Sequence, residues 1–224
     1  INLPLRSDPF DWDPTTSGIA IGNQEPWQTS YETLVGVKLG PSVDFNDIQL
    51  TPLLAEKWEI SPDAKTYTFT LRKGVKFQNL PPVNGRELTS ADVKFSIERY
   101  VKHPKSTFGN RFSDISSIET PDKATVVFKL KAPSRYLISS LAAETALITP
   151  PEIENDYKTK AIGPGPYIHD EYIQGEGSKL HKNPDFIDAA KVYFNKFNFK
   201  VITDSATRSA ALKSAQADYI DANL

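Results

Sequence analysis

The sequence predicts a mixed α/β fold, α+β in its local order, from three observations. Two stretches alternate β-branched or aromatic residues with polar ones around a turn containing Pro and Asp, the pattern of half-buried hairpins. Segments with a capping residue and an apolar stripe of helical period stand between and after them. Apolar residues make up 39% of the 224 and charged ones 24%, a balance that suits a globular chain with a sizeable core.

In chain order, the residues from Leu3 to Pro14 open as a short apolar strand that runs into Asp8-Pro9-Phe10-Asp11-Trp12-Asp13-Pro14. Small and polar residues over 15–23 form a loop. Residues 25–34 read as a helix that leads into a strand at Val35-Gly36-Val37, and residues 41–46 connect onward. Trp58 and Ile60 suit one face of a strand. Ser61-Pro62-Asp63-Ala64-Lys65 is a turn, because Pro presets φ and Asp bonds its own backbone. The chain returns with Tyr67, Phe69 and Leu71 on one face, and Gly74 ends the hairpin.

After a loop over 79–88, Thr89-Ser90-Ala91-Asp92 reads as a helix cap, with Asp92 reaching back. Val93, Ile97, Tyr100 and Val101 are the expected buried stripe. Residues 102–112 form a polar link. A second hairpin turns at Pro121-Asp122-Lys123-Ala124 and joins the same sheet. A helix follows Pro133, with Leu137, Ile138, Leu141 and Ala142 inward.

Ala146-Leu147-Ile148 is expected as a short strand and residues 152–160 as a helix. In Gly163-Pro164-Gly165-Pro166 the glycines are expected to supply positive φ within a rigid turn. Phe197, Phe199 and Val201 alternate as a strand. Asp204 caps a helix packed through Ala210, Ala211 and Leu212, and Asp218-Tyr219-Ile220-Asp221 closes as a strand.

Several functions find no support. A net charge of −2 lacks the basic face that a nucleic-acid partner wants. No apolar run reaches the roughly 20 residues of a membrane-spanning helix. Zero cysteines exclude disulfides and thiolate chemistry. His103, His169 and His181 lack metal-ligand spacing, so neither a metal nor another cofactor is expected. There is no Gly-x-Ser-x-Gly elbow, and the Gly163–Gly165 turn lacks the Lys-Ser/Thr of a phosphate loop. Among 28 acidic residues the sequence nominates no catalytic pair, and the chain is expected not to be an enzyme.

The order LAEKWEIS-D-KTYTFTLRKGVKF, then NGRELT, then SADVKFSIERY resembles the extracellular solute-binding proteins of ABC importers, in the branch for oligopeptides, dipeptides and nickel complexes. Tyr31-Glu32-Thr33-Leu34 and Asn183-Pro184-Asp185-Phe186 resemble family segments too. Pro164 and Ile187 depart from the family's Thr and Trp.

The resemblance implies a periplasmic-binding-protein-like II fold, of which this chain is the N-terminal portion: lobe I of a two-lobed clamp, with the second lobe absent. Residues 1–40 and 160–224 would form the core sheet subdomain, and 41–159 an inserted hairpin and helix subdomain. It further implies capture of peptides or similar solutes, delivery to ABC permease subunits, and a monomer outside the cytoplasm. That monomer would be periplasmic or a lipoprotein at the outer face of the membrane, peripheral to it. Ile1-Asn2-Leu3-Pro4 opens on mature-looking sequence.

By the same resemblance the ligand wall would include Asp8, Pro9, Phe10 and Trp12, the loop at Ile21, Gly22 and Asn23, and Phe108 with Asn110. Two alternatives stay open here: Phe10 and Trp12 packing on a strand face, and 102–112 as a plain surface loop. A secreted carbohydrate-active enzyme and a sensory module that kept the fold are the other readings.

Overall fold

The computed structural model describes residues 1–8, 12–17, 29–38, 40, 43–44, 49–143 and 146–220. Its strands are β1 (Asn2–Leu5), β2 (Val35–Val37), β3 (Leu50–Pro52), β4 (Ala55–Ile60), β5 (Thr66–Leu71), β6 (Ile115–Asp122), β7 (Thr125–Leu130), β8 (Tyr167–Ile173), β9 (Gly177–Lys182) and β10 (Lys196–Val201). The helices are α1 (Ser90–Lys102), α2 (Tyr136–Ala142) and α3 (Ser205–Lys213). One four-stranded sheet runs β1-β10-β9-β8, another β4-β5-β7-β6, and β2 pairs with β3. Among the described residues, β1 and β10 are the one pair that runs parallel.

Both expected hairpins form. Asp63 accepts from the Lys65 N–H and the Ser61 hydroxyl, and Asp122 accepts from the Ala124 N–H, so each turn is tied by its own Asp. Tyr67, Phe69, Val126 and Phe128 are fully buried in the largest core cluster, against Val93 and Ile97 of α1 and Leu141 of α2. Asp92 accepts from the Thr89 N–H at 2.8 Å, as the cap pattern requires. Asp204 accepts from the Thr207 N–H at 2.7 Å and caps α3.

Several expectations fail for non-local reasons. Val101 is 41% exposed; the core side of α1 is shared instead with Ser90 and Ser96, whose hydroxyls donate to the Asp122 and Thr149 carbonyls. Ile60 is also exposed, at the tip of its hairpin. The described part of the expected 25–34 helix, 29–34, is a turn at 29–30 followed by chain that is neither helix nor strand.

Residues 146–148 are buried but not a strand: Ile148 donates to the Glu32 carbonyl without a ladder to extend it. Residues 152–160 form one 3-10 turn (Pro151–Ile153) and then turns, because Tyr157 is drawn inward to bond Thr149 and Pro150. Of the α3 residues expected inside, Ala211 alone is buried, while Ala210 and Leu212 face outward and Arg208 takes the inner position. Asp218 lies beside β1, donating to the Asn2 carbonyl at 2.9 Å, without forming a strand; Asp221 lies outside the described residues.

Gly163 and Gly165 do not adopt positive φ. They are needed for proximity. A Cβ on Gly163 would sit 2.2 Å from the Ser30 carbonyl oxygen, and one on Gly165 would sit 2.5 Å from the Ser30 carbonyl carbon.

Candidate functional site

The turn that follows Trp12 is built on a buried ion pair. Asp13 accepts both Arg99 terminal nitrogens, at 2.6 and 2.5 Å, and also the Thr15 N–H at 2.9 Å, which closes the turn at residues 13–17. Both side chains are 8% exposed. Arg99 further donates to the Thr15 hydroxyl and lies 4.7 Å over the Tyr157 ring. Burial opposes its charge, but the Asp13 carboxylate outweighs that and holds the guanidinium above its ordinary range. A helix thus pins the chain that follows Trp12.

That turn carries the next segment. Thr107 donates its N–H to the Thr15 carbonyl at 3.0 Å and its hydroxyl to the Thr16 carbonyl at 3.1 Å. The 102–112 link is therefore hung on the 13–17 turn through Thr107. Phe108 is half-buried against the largest core, with the Arg111 guanidinium 5.0 Å over its ring. Asn110 is exposed and borders a hollow of about 280 Å³ shared with Asp114, Ser140 and Tyr136.

Asp8 and Trp12 converge on a second place. The Asp8 carboxylate accepts from the Tyr172 hydroxyl at 3.1 Å and from the Gly175 N–H at 2.9 Å, tying it to the β8–β9 hairpin. Burial, reinforced by the Asp8 charge, pushes the Tyr172 phenol up to about 12. Trp12 is 4% exposed, 4.7 Å from the His169 ring and 5.0 Å from that of Tyr172. It joins Tyr31, Leu147 and Ala161 in a small core and borders a hollow of about 490 Å³ with Leu80, His169 and Tyr172. Pro9, Phe10, Ile21, Gly22 and Asn23 lie outside the described residues.

Arg99, Tyr172 and Gln78 were not singled out from the sequence. Gln78 is fully buried, and its amide donates to the Tyr167 carbonyl at 2.7 Å, beside the Gly163–Gly165 turn. The Asp13-Pro14 step was the available signal for the pinned turn, but its partner lies 86 residues away. Among the described residues no three His, Cys, Asp or Glu side chains come together as a metal site, and no helix is long and apolar enough to cross a membrane. Among the described residues the arrangement offers two hollows, of about 280 and 490 Å³, each lined by polar as well as apolar side chains.

Residues 49–224 match the family described as bacterial extracellular solute-binding proteins, family 5. The glutathione-binding protein GsiB of Salmonella choleraesuis is 30% identical over 218 residues, covering 95% of this chain and 39% of its own length. The ABC transporter-associated periplasmic binding protein DppA of Helicobacter pylori, solved with the peptide STSA, superposes with a TM-score of 0.85 at 28% identity, over 98% of this chain and 46% of that one. AgaA of A. tumefaciens R10, solved with agropinic acid, gives 0.83 at 33% identity, over 99% and 43%. The chain thus spans less than half the length of each.

Proposed function

Because the chain belongs to the bacterial extracellular solute-binding proteins, family 5, we propose that it is part of the substrate-binding component of an ABC importer. That component captures peptides or similar solutes outside the cytoplasm and hands them to membrane permease subunits. It works by binding without catalysis, as a monomer in the periplasm or tethered by a lipid at the outer face of the membrane. The observation that carries this is the likeness along almost the whole chain to DppA holding a peptide.

In this reading residues 1–40 and 160–224 form one subdomain and 41–159 another, and together they make one wall of a cleft. The Arg99–Asp13 pin fixes the 12–17 turn and, through Thr107, the Phe108–Asn110 loop, so that the wall is rigid before the solute arrives. Asp8, Pro9, Phe10, Trp12, the 21–23 loop, Phe108 and Asn110 are its contact candidates. A solute shifts the open–closed balance of such a clamp by its differential affinity for the closed form.

A second reading, an opine as the solute, is favoured by the higher identity to AgaA. Calorimetric titration of the full-length protein with di- to pentapeptides and with agropinic acid separates the two. Saturable heat with peptides alone supports the first reading, and with the opine alone the second. Heat with neither overturns both.

A further inference from the structure

The two four-stranded sheets are stitched together by residues 29–34, a turn at 29–30 and the chain that follows it. On one side the Thr29 carbonyl accepts from the Tyr167 N–H at 3.2 Å and the Ser30 carbonyl from the Gly165 N–H at 2.9 Å. On the other, the Thr33 carbonyl accepts from the Leu54 N–H at 3.2 Å and the Leu34 carbonyl from the Ala55 N–H at 2.9 Å. Glu32 stands at the middle of this seam, where its own carbonyl accepts from the Ile148 N–H at 2.9 Å.

A second link crosses nearby. Arg72, just past β5, makes a bidentate pair with Asp188, between β9 and β10, at 2.6 and 3.1 Å across 116 residues. It also donates to the Leu53 carbonyl at 3.3 Å.

The charges at this seam are unbalanced. Asp188 receives Arg72 and, at 3.3 Å, Lys191. Among the described residues the Glu32 carboxyl accepts only the Thr33 N–H, at 3.1 Å, from its own neighbour in the chain. Arg72 feels Asp188, Glu32 and, from β4, Glu56. Three carboxylates therefore share the field of one guanidinium, and both terminal nitrogens of that guanidinium bond Asp188.

We propose that Glu32 is a proton switch on this seam: protonated, it leaves Arg72 wholly to Asp188, and ionised, it competes for Arg72, repels Asp188 and loosens the link between the sheets. Glu32 is half-buried by residue area, yet protein crowds its carboxyl enough that lost hydration is the largest influence on it. Burial first, then the Asp188 charge, raises it to about 7, against the partial relief from the Thr33 N–H and Arg72. The folded value lies above the ordinary value of 4.5. Stability from the bound proton is therefore complete below about pH 4.5 and is lost as pH rises through about 7. The switch does not depend on which solute is carried.

The test compares the full-length wild-type protein with Glu32→Gln by denaturant titration from pH 5 to 8.5, where the histidines common to both cancel. Wild type should lose about 75-fold in folding equilibrium constant relative to the variant across that range. Amides of 183–191 should exchange faster at high pH in wild type alone, after correction for intrinsic rates. Parallel pH profiles overturn the proposal. So does a diverging profile with unchanged exchange at 183–191, which would make Glu32 a buried acid that moves nothing. Should the variant not fold, carboxyl-carbon NMR and amide exchange of wild type decide together: a Glu32 midpoint between pH 6 and 8 with faster exchange at 183–191 above it supports the switch, and a midpoint near 4.5 or unchanged exchange refutes it.

Discussion

Replacing Gly165 by Ala tests how the two halves of the chain meet. The added Cβ would lie 2.5 Å from the Ser30 carbonyl carbon and 2.6 Å from the carbonyl oxygens of Thr29 and Tyr31. All three are backbone atoms of a stretch bonded on both sides, including the Gly165 N–H to the Ser30 carbonyl at 2.9 Å. No side chain can rotate away, so the seam itself must open by most of an ångström. Overpacking of this kind costs about 1–3 kcal/mol, and a bonded backbone places it at the upper end. The lower entropy of the unfolded alanine chain offsets only about 0.4–1 kcal/mol of this, less than the strain.

Gly175→Ala is the internal control. Its φ is +81°, but no atom lies within 4 Å of the new Cβ. The expected cost there is about 1 kcal/mol of left-handed strain. Equilibrium denaturation in urea with matched m-values reads both variants. A Gly165→Ala loss no larger than that of Gly175→Ala would refute the close-approach account.

Other expectations follow from the same contacts. Arg99→Met leaves Asp13 buried without its cation and should cost about 3–5 kcal/mol; adding Asp13→Asn should recover part of it, measured as a double-mutant cycle. Tyr172→Phe removes the bond to Asp8 and should cost about 1 kcal/mol in the same assay. Arg72 holds the Asp188 carboxyl below its ordinary range, as Arg86 does for Glu152. Stability from these pairs is present above the unfolded carboxyl range and lost as pH falls through the depressed folded values, so Asp188→Asn should flatten the acid limb of the stability curve. Residues 1–224 alone should bind peptide more weakly than micromolar, since one wall cannot close on a ligand; tight calorimetric binding would contradict that.

The legible parts of the fold were the local ones. The Asp63 and Asp122 turns and the Thr89–Asp92 cap are bonded within a few residues, so the sequence carried their full cause. Gly163 and Gly165 were expected to serve a turn through their own φ; their actual constraint is Ser30, more than 130 residues away in the chain and invisible to local pattern. Residues 152–160 have a helical Ile153–Tyr157 spacing, yet the Tyr157 hydroxyl is claimed by Thr149 and Pro150. Val101 is 41% exposed, whereas Ser90 and Ser96 of the same helix are buried with their hydroxyls bonded to the Asp122 and Thr149 carbonyls, partners that the helical period does not reveal. Of the segments nominated for the wall, the structure brings two into contact: the 12–17 turn and the 102–112 link touch through Thr107. Sequence reading missed the Arg99–Asp13 pin that brings them together, because nothing local marks a salt bridge across 86 residues.

Native mass spectrometry of the full-length protein, purified from its host without denaturation, tests the central claim most directly. The account predicts a co-purifying distribution of peptide masses released when the protein is unfolded. A single non-peptide mass would contradict the peptide assignment and point to another solute held in the same fold.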